Sequence, residues 1–93
     1  MLTTNSYFEG KVMSIGLDNK EGHSTVGVME AGDYTFGTST VEYMTVVSGA
    51  MKVLLPGETE WKTFTKGETF IVAKDQKFSL VLEEQSAYLC RYE

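Results

Sequence analysis

The chain has 93 residues, of which 42% are hydrophobic and 23% are charged, and its formal net charge is −5. This length suits one folded domain, residues 1–93, and the composition is ordinary for a globular protein rather than a disordered one. The acidic balance argues against a nucleic-acid partner, because non-specific binding to phosphates needs a basic surface.

The sequence shows no sign of a membrane or secretory segment. No stretch approaches the roughly 20 apolar residues that a membrane helix needs. The opening MLTTNSYFEGKV lacks the basic-then-apolar pattern of a secretory signal. The single cysteine, Cys90, excludes an intramolecular disulfide. We therefore expect a protein of the reducing cytoplasm with no membrane partner.

Short strands are predicted along the whole chain. Apolar and polar residues alternate in segments separated by turns rich in Gly, Asp, Asn and Glu. This density of strands predicts an all-β fold, a small antiparallel sandwich or barrel. The step from Ser48 to Ala50 predicts a tight hairpin, and Pro56–Gly57 predicts a type II turn. In chain order, the predicted strands are 11–17, 24–30, 33–38, 42–48, 50–55, 60–65, 68–73, 77–83 and 86–92.

Alternation assigns side chains to faces, although it does not say which face is interior. Glu42 shares one side of its strand with Met44 and Val46, whereas Arg91 lies on the side of its strand opposite to Cys90. If the face of Glu42 is interior, its carboxyl group needs a hydrogen-bond donor or takes a raised pKa.

The stretch GETFIVAKDQKF, residues 67–78, has the rhythm of the second cupin motif. That motif ends on a metal-binding histidine, and Phe78 occupies its position here. Upstream, Glu42 with a glycine seven positions later resembles the end of the first cupin motif, whose two histidine positions hold Phe36 and Thr38. A transition metal needs about three or four imidazole, thiolate or carboxylate ligands, so we expect no metal at these motif positions.

The whole chain resembles one small cupin family, the pyrimidine/purine nucleoside phosphorylases. The segments that carry the resemblance are NSYFEGKVMSIG, VGVMEAGDYTFGT, EYMTVVSGAMKVLLPG and SAYLCRY. The chain departs from the family at 18–26, where His23 lies close to a position at which the family tends to carry arginine. The resemblance implies a homodimeric single-domain cupin that cleaves purine and pyrimidine ribonucleosides. Inorganic phosphate would be the co-substrate, with no metal or other cofactor, and the products would be a free base and ribose 1-phosphate.

Aromatic rings where metal ligands would stand suggest a flat-walled pocket for the nucleobase. Stacking of a base on such a ring is worth roughly 1–3 kcal/mol and tolerates any base. Phe36 and Phe78 are the expected walls, Tyr34 is expected at the pocket mouth because it shares a face with Phe36, and Thr38 is expected to bind substrate beside them. The alternative is that these rings only fill the core of a small barrel.

Two charged residues are expected to be catalytic. Glu42 would donate a proton to the leaving base, or would steady positive charge on the ribose. Arg91, the single arginine, would hold phosphate or pair with Glu42, and His23 would assist as a cation or hydrogen-bond donor. Solvated surface positions are the alternatives for all three. Two other functions stay open: a non-catalytic small-molecule-binding cupin, and a metal-dependent cupin enzyme.

Overall fold

The computed structural model describes residues 1–93, and nearly all of its regular structure is β-strand. One 3-10 turn, Phe8–Gly10, follows the first strand. No helical segment has the length and apolar character needed to cross a membrane. The predicted all-β class is confirmed. The strands are β1 Thr4–Tyr7, β2 Val12–Asn19, β3 Gly22–Met29, β4 Gly32–Gly37, β5 Glu42–Ser48, β6 Ala50–Leu54, β7 Lys62–Thr65, β8 Thr69–Val72, β9 Lys77–Leu82 and β10 Ser86–Tyr92.

The strands form two antiparallel sheets that pack face to face. The larger sheet has the order β1-β2-β3-β10-β5-β8, and the smaller sheet has the order β4-β9-β6-β7. Because side chains alternate across each strand, each sheet turns one set of residues toward the other sheet and the second set toward solvent. Because the larger sheet has six strands and the smaller has four, the smaller sheet covers some strands of the larger one less fully than others.

The inward-facing residues of both sheets form one apolar core. Its members are almost all fully buried, and apolar burial of this kind is the main favourable term in folding. Val46 and Val72 come from the larger sheet, and Val53 and Leu80 come from the smaller one. The complete core cluster is Val12, Met29, Tyr34, Met44, Val46, Met51, Val53, Phe70, Val72, Phe78, Leu80, Leu82, Tyr88 and Cys90.

One strand was missed, and one predicted turn is wrong. The edge strand β1 was not predicted, because TNSY has no apolar alternation to reveal it. The hairpin predicted at Gly49 does not form: β5 and β6 belong to different sheets, so this glycine carries the chain from one sheet to the other. Its φ of 89° suits glycine, and a Cβ there would meet the Ser86 side chain. The turn at Pro56–Gly57 is confirmed, with the Glu58 N–H donating to the Leu55 carbonyl at 3.1 Å.

Candidate active site

A cavity of about 210 Å³ lies between the two sheets. Four of its lining residues mark one end of the sandwich: Gly37 ends β4, Glu42 begins β5, Phe78 is near the start of β9 and Tyr92 is near the chain end in β10. The short link from Gly37 to Glu42 brings the two sheets together there. The lining as a whole is Tyr7, Ser14, Met29, Phe36, Gly37, Glu42, Met44, Phe78, Tyr88, Cys90 and Tyr92.

The wall contributed by the smaller sheet is aromatic, as predicted. Phe36 and Phe78 are opposite each other on β4 and β9, and their rings stack with centroids 5.9 Å apart and planes 28° apart. Phe78 is buried, whereas Phe36 is only partly buried. Phe78 is held from behind by Phe70, whose ring centroid lies 6.1 Å away. The wall is therefore rigid and offers the partly open Phe36 ring to the cavity.

Glu42 is the acidic residue of the cavity lining, and it is half-buried. Burial raises the pKa of its carboxyl group above the ordinary value of 4.5. The Cys90 thiol partly offsets that effect by donating a hydrogen bond to Glu42 Oε1 over 3.5 Å. No lysine or arginine lines the cavity, so this carboxylate has no cationic side chain beside it.

The other polar groups around Glu42 are neutral hydrogen-bond donors. Burial raises the pKa of Tyr88 to about 12, and burial together with the Glu42 charge raises the pKa of Cys90 to about 12. Burial also raises the pKa of Tyr92 well above its ordinary range. At neutral pH these three groups are protonated, so each can donate a hydrogen bond inside the cavity. Cys90 is a buried thiol, and its raised pKa makes it a poor nucleophile.

The Tyr88 ring lies directly on the backbone of Gly27, with which it is paired across β3 and β10. A Cβ at Gly27 would be 2.5 Å from Tyr88 Cζ, closer than such atoms approach. Only glycine therefore lets the tyrosine lie flat against the sheet and leave the cavity open.

His23 lies on the same face of the larger sheet as Glu42, but beyond the cavity lining. Its ring stacks on Tyr92, with centroids 5.2 Å apart and planes 26° apart, and its Nδ1 pairs with Asp18 Oδ1 at 2.8 Å. The Tyr92 hydroxyl is in turn hydrogen-bonded to Thr25 Oγ1 at 2.9 Å. Tyr92 thus connects the cavity to an exposed histidine that is already held by a carboxylate.

Arg91 does not reach this cavity, and its predicted pairing with Glu42 is wrong. It is paired with Tyr43 across β10 and β5, on the outer face of the larger sheet, whereas Glu42 projects from the inner face. Its guanidinium lies 4.2 Å from the centre of the Tyr43 ring, and Nη1 contacts Glu93 Oε2 at 2.6 Å. Within one chain, Arg91 is therefore separated from the cavity by the sheet itself.

Tyr34 and Thr38 also lie outside the cavity lining. Tyr34 is buried, and its hydroxyl donates to the Glu30 carbonyl at 2.8 Å. Thr38 Oγ1 donates to the Ala73 carbonyl at 2.7 Å and accepts from the Gln76 N–H at 3.1 Å. Both hydroxyls are thus occupied by backbone groups, and Thr38 secures the loop between β8 and β9.

Several lining residues were missed or left without a role by the sequence analysis. Alternation grouped Tyr88, Cys90 and Tyr92 on one face, but a single strand does not say which face is interior. Tyr7 gave no signal, since its strand β1 was not predicted. Ser14 gave none either, because it is a small polar residue within an alternating strand.

The donor set does not suit a metal ion. Nowhere in residues 1–93 do three His, Cys, Asp or Glu side chains come together in a way that could hold one. The histidine positions of the two cupin motifs hold Phe36, Thr38 and Phe78, so only Glu42 among the motif residues could be a ligand.

Comparison with known families matches residues 2–92 to the model described as pyrimidine/purine nucleoside phosphorylase. Proteins of that name from Shewanella halifaxensis and Pectobacterium atrosepticum are similar to this chain. The first is 55% identical over 92 residues and the second is 54% identical over 93 residues. In each case the alignment covers 99% of both chains.

Solved structures with the same fold are known. A protein of unknown function from Vibrio parahaemolyticus superposes with a TM-score of 0.96 at 44% identity, covering 100% of this chain and 99% of the other. An RmlC-like cupin from Shewanella frigidimarina superposes with a TM-score of 0.74 at 18% identity, covering 97% of this chain and 79% of the other. The second likeness concerns the fold alone, and it confirms the predicted cupin architecture.

Proposed function

Since the chain belongs to the pyrimidine/purine nucleoside phosphorylase family, we propose that it cleaves purine and pyrimidine ribonucleosides with inorganic phosphate and without a metal. A phosphate oxygen forms a bond to the anomeric carbon of the ribose as the bond from that carbon to the base nitrogen breaks. The base leaves with the electron pair and takes up a proton. The products are the free base and ribose 1-phosphate, so the enzyme is a pentosyltransferase.

The observation that carries this proposal is an uncompensated carboxyl group within an aromatic cavity. Phe36 offers a flat apolar face to a base, and stacking there does not depend on which base is present. Glu42 lies across the cavity with no cationic side chain among the lining residues. A cavity with one negative charge suits a ribose that becomes positively charged in the transition state.

We assign Glu42 the role of a carboxylate that stabilises the developing charge on the ribose. A neutral Glu42 that protonates the leaving base is the alternative, and the raised pKa of this group makes that form more accessible. The phenols of Tyr88 and Tyr92 supply further neutral donors in the same cavity. Either could take the hydrogen-bonding role toward the base and leave Glu42 for the sugar.

We propose a phosphate site built on His23 rather than on Arg91 of the same chain. His23 is the basic residue on the inner face of the larger sheet, and it contacts the cavity through Tyr92. We therefore propose that phosphate enters from the His23 end and accepts hydrogen bonds there. Arg91 would act on phosphate only in the cavity of another copy of the chain, because it lies on the outer face of its own.

A homodimer is the proposed assembly, and the outer face of the larger sheet is the proposed contact. Arg91 is the charged residue among the outward-facing strand positions of this sheet, and Glu93 neutralises it. Two copies of this chain can meet at such a face without bringing unpaired like charges together in the contact. Seven large apolar side chains are exposed there: Met13, Ile15, Leu17, Val26, Val28, Val47 and Ile71.

Light scattering on a sizing column tests the assembly. The wild type should have twice the 10.4 kDa mass of one chain, and Val26→Lys should shift it toward that mass by placing like charges in the contact. Trp61→Lys, at an exposed position away from this face, is the control. A monomeric wild type would overturn this part of the proposal. The cytoplasmic location stays a prediction from the sequence.

Nucleoside cleavage is tested directly by incubating the full chain with guanosine or uridine, with and without phosphate. Ribose 1-phosphate should form only when phosphate is present, and a chelator should leave the rate unchanged. If no nucleoside gives ribose 1-phosphate, the proposed function is wrong. A rate that needs added zinc, iron or manganese would instead favour a metal-dependent cupin.

One observation favours a second function, a non-catalytic cupin that binds a small molecule. The cavity has no lysine or arginine of its own to hold a phosphate nucleophile. Such a protein would be stabilised against heat by guanosine or uridine and would release no product from either. Thermal unfolding with each nucleoside, run beside the cleavage assay, separates the two functions.

A further inference from the structure

The edge strand β1 places an aromatic residue over the cavity from the larger sheet. Tyr7 is directly opposite Val12, which is fully buried, so both side chains face the smaller sheet. Yet Tyr7 is 47% exposed, although its partner on β2 is fully buried. Tyr7 therefore contributes to the cavity wall without being a full member of the core.

An unusual turn holds this tyrosine in place. Phe8, Glu9 and Gly10 follow one another with φ values of 51°, 58° and 87°, a left-handed conformation that residues with a Cβ seldom adopt. Such a conformation persists only where the surroundings enforce it. Here the Phe8 ring is held edge-on by Tyr34 and Phe36, with centroids 5.1 and 5.4 Å away. The turn thus ties the end of β1 to the aromatic wall of the opposite sheet.

Tyr7 and Phe36 come from opposite sheets and line the same cavity, and each leaves part of its ring uncovered. Two aromatic faces across a gap are the usual way in which proteins hold a flat base without reading its identity. We infer that Tyr7 is a substrate-binding residue whose ring covers the nucleobase on the side opposite to Phe36. This inference deepens the proposed function and rests on it for the identity of the ligand.

A packing role alone explains Tyr7 poorly. Core aromatics of this chain, such as Phe78 and Phe70, are 3% exposed, whereas Tyr7, which also lines the cavity, is 47% exposed. A ring whose only function is packing gains most by full burial. A ring that also covers a ligand must leave one side open while the ligand is absent.

The test compares Tyr7→Ala with Tyr7→Phe in the full chain. Binding of guanosine and of uridine is measured by calorimetry without phosphate, so that no turnover occurs. Tyr7→Ala should raise the Kd of both nucleosides about tenfold, the loss expected for one aromatic stack, while Tyr7→Phe should stay within about twofold of the wild type. Trp61→Ala is the matched control, because Trp61 is 40% exposed and lies away from the cavity.

Each other outcome overturns the inference. If Tyr7→Ala binds both nucleosides as tightly as the wild type, the ring does not touch the base. If the affinity is unchanged but the melting temperature is lower, Tyr7 has only a packing role. Equal losses in Tyr7→Ala and Tyr7→Phe would assign the contact to the hydroxyl group instead of the ring. If the wild type binds neither nucleoside, the cavity is not a nucleobase site and the inference is wrong.

The outcome of the cleavage assay separates this inference from the proposed function. If nucleosides bind through Tyr7 but no ribose 1-phosphate forms, the role of Tyr7 in base binding is supported and the proposed phosphorylase activity is wrong. If ribose 1-phosphate forms and Tyr7→Ala leaves the KM for both nucleosides unchanged, the proposed phosphorylase activity is supported and the base-binding role of Tyr7 is wrong.

Discussion

Glu42 and Arg91 lie on neighbouring strands of one sheet, and their side chains leave that sheet on opposite sides. Glu42 is paired with Tyr92 and Arg91 is paired with Tyr43, and residues paired in this way share a face. The acid of the cavity and the single arginine of the chain are therefore separated by the sheet. Inside its own chain, the cavity has a negative charge that no arginine neutralises.

The charge of Glu42 should matter more than its hydrogen bonds. Glu42→Gln keeps the size and the hydrogen-bonding ability of the side chain but cannot become negative. We expect kcat for ribose 1-phosphate formation to fall about 100-fold or more, with little change in nucleoside affinity. Glu60→Gln, at an exposed acid, is the control. A variant that keeps a tenth or more of the wild-type kcat would show that cleavage needs neither a negative charge nor a proton from Glu42, because an amide supplies neither.

The raised pKa of Glu42 predicts how stability depends on pH. Its folded-state pKa lies above the ordinary 4.5, so the folded protein holds this proton more tightly than the unfolded chain does. The resulting stabilisation is complete below the unfolded value and is lost as pH rises through the folded-state pKa. Glu42→Gln should therefore melt higher than the wild type at pH 8, by about 2–5 °C, and should show little gain at pH 4.

Thermal unfolding of the two proteins across this pH range measures the difference. Glu60→Gln serves again as the control and should not reproduce the pH dependence. A Glu42→Gln gain of the same size at pH 4 and pH 8 would contradict a raised pKa at this position.

Gly27→Ala should damage both stability and the cavity. Its new methyl group would overlap the Tyr88 ring, which would have to move off the sheet into the cavity. We expect a loss of about 1–3 kcal/mol in the free energy of unfolding, measured in urea, together with weaker nucleoside binding. Gly16→Ala is the matched control, because the nearest atom to its new Cβ is 3.7 Å away. Equal stability of the two variants would show that Tyr88 moves freely.

Arg91→Met should leave the use of phosphate nearly unchanged. The variant keeps an apolar stem against Tyr43 and removes only a partly exposed ion pair with Glu93, a kind of contact worth about 0–1 kcal/mol. The KM for phosphate should stay within about twofold of the wild type, whereas His23→Gln should raise it about tenfold. If Arg91→Met raised the KM for phosphate more than His23→Gln did, Arg91 would have to reach the cavity of another copy of the chain.

Local signals predicted most of the fold. Alternation placed nine of the ten observed strands within a few residues, including both ends of β5 and β10 correctly, because a half-buried strand must alternate. It failed for β1, an edge strand of polar residues, and for the connection at Gly49. A glycine with positive φ shows that the chain turns there, but not whether the segments on either side pair with each other.

Residue type and spacing were enough to establish which side chains share a face and which metal ligands are absent. They placed Phe36, Phe78 and Glu42 as candidates, and all three line the cavity. Which face is interior depends on how the two sheets pack, and the alternation does not reveal that. Each strand has two equivalent faces until another sheet packs on one of them, and that packing turned Glu42 inward and left Arg91 outside.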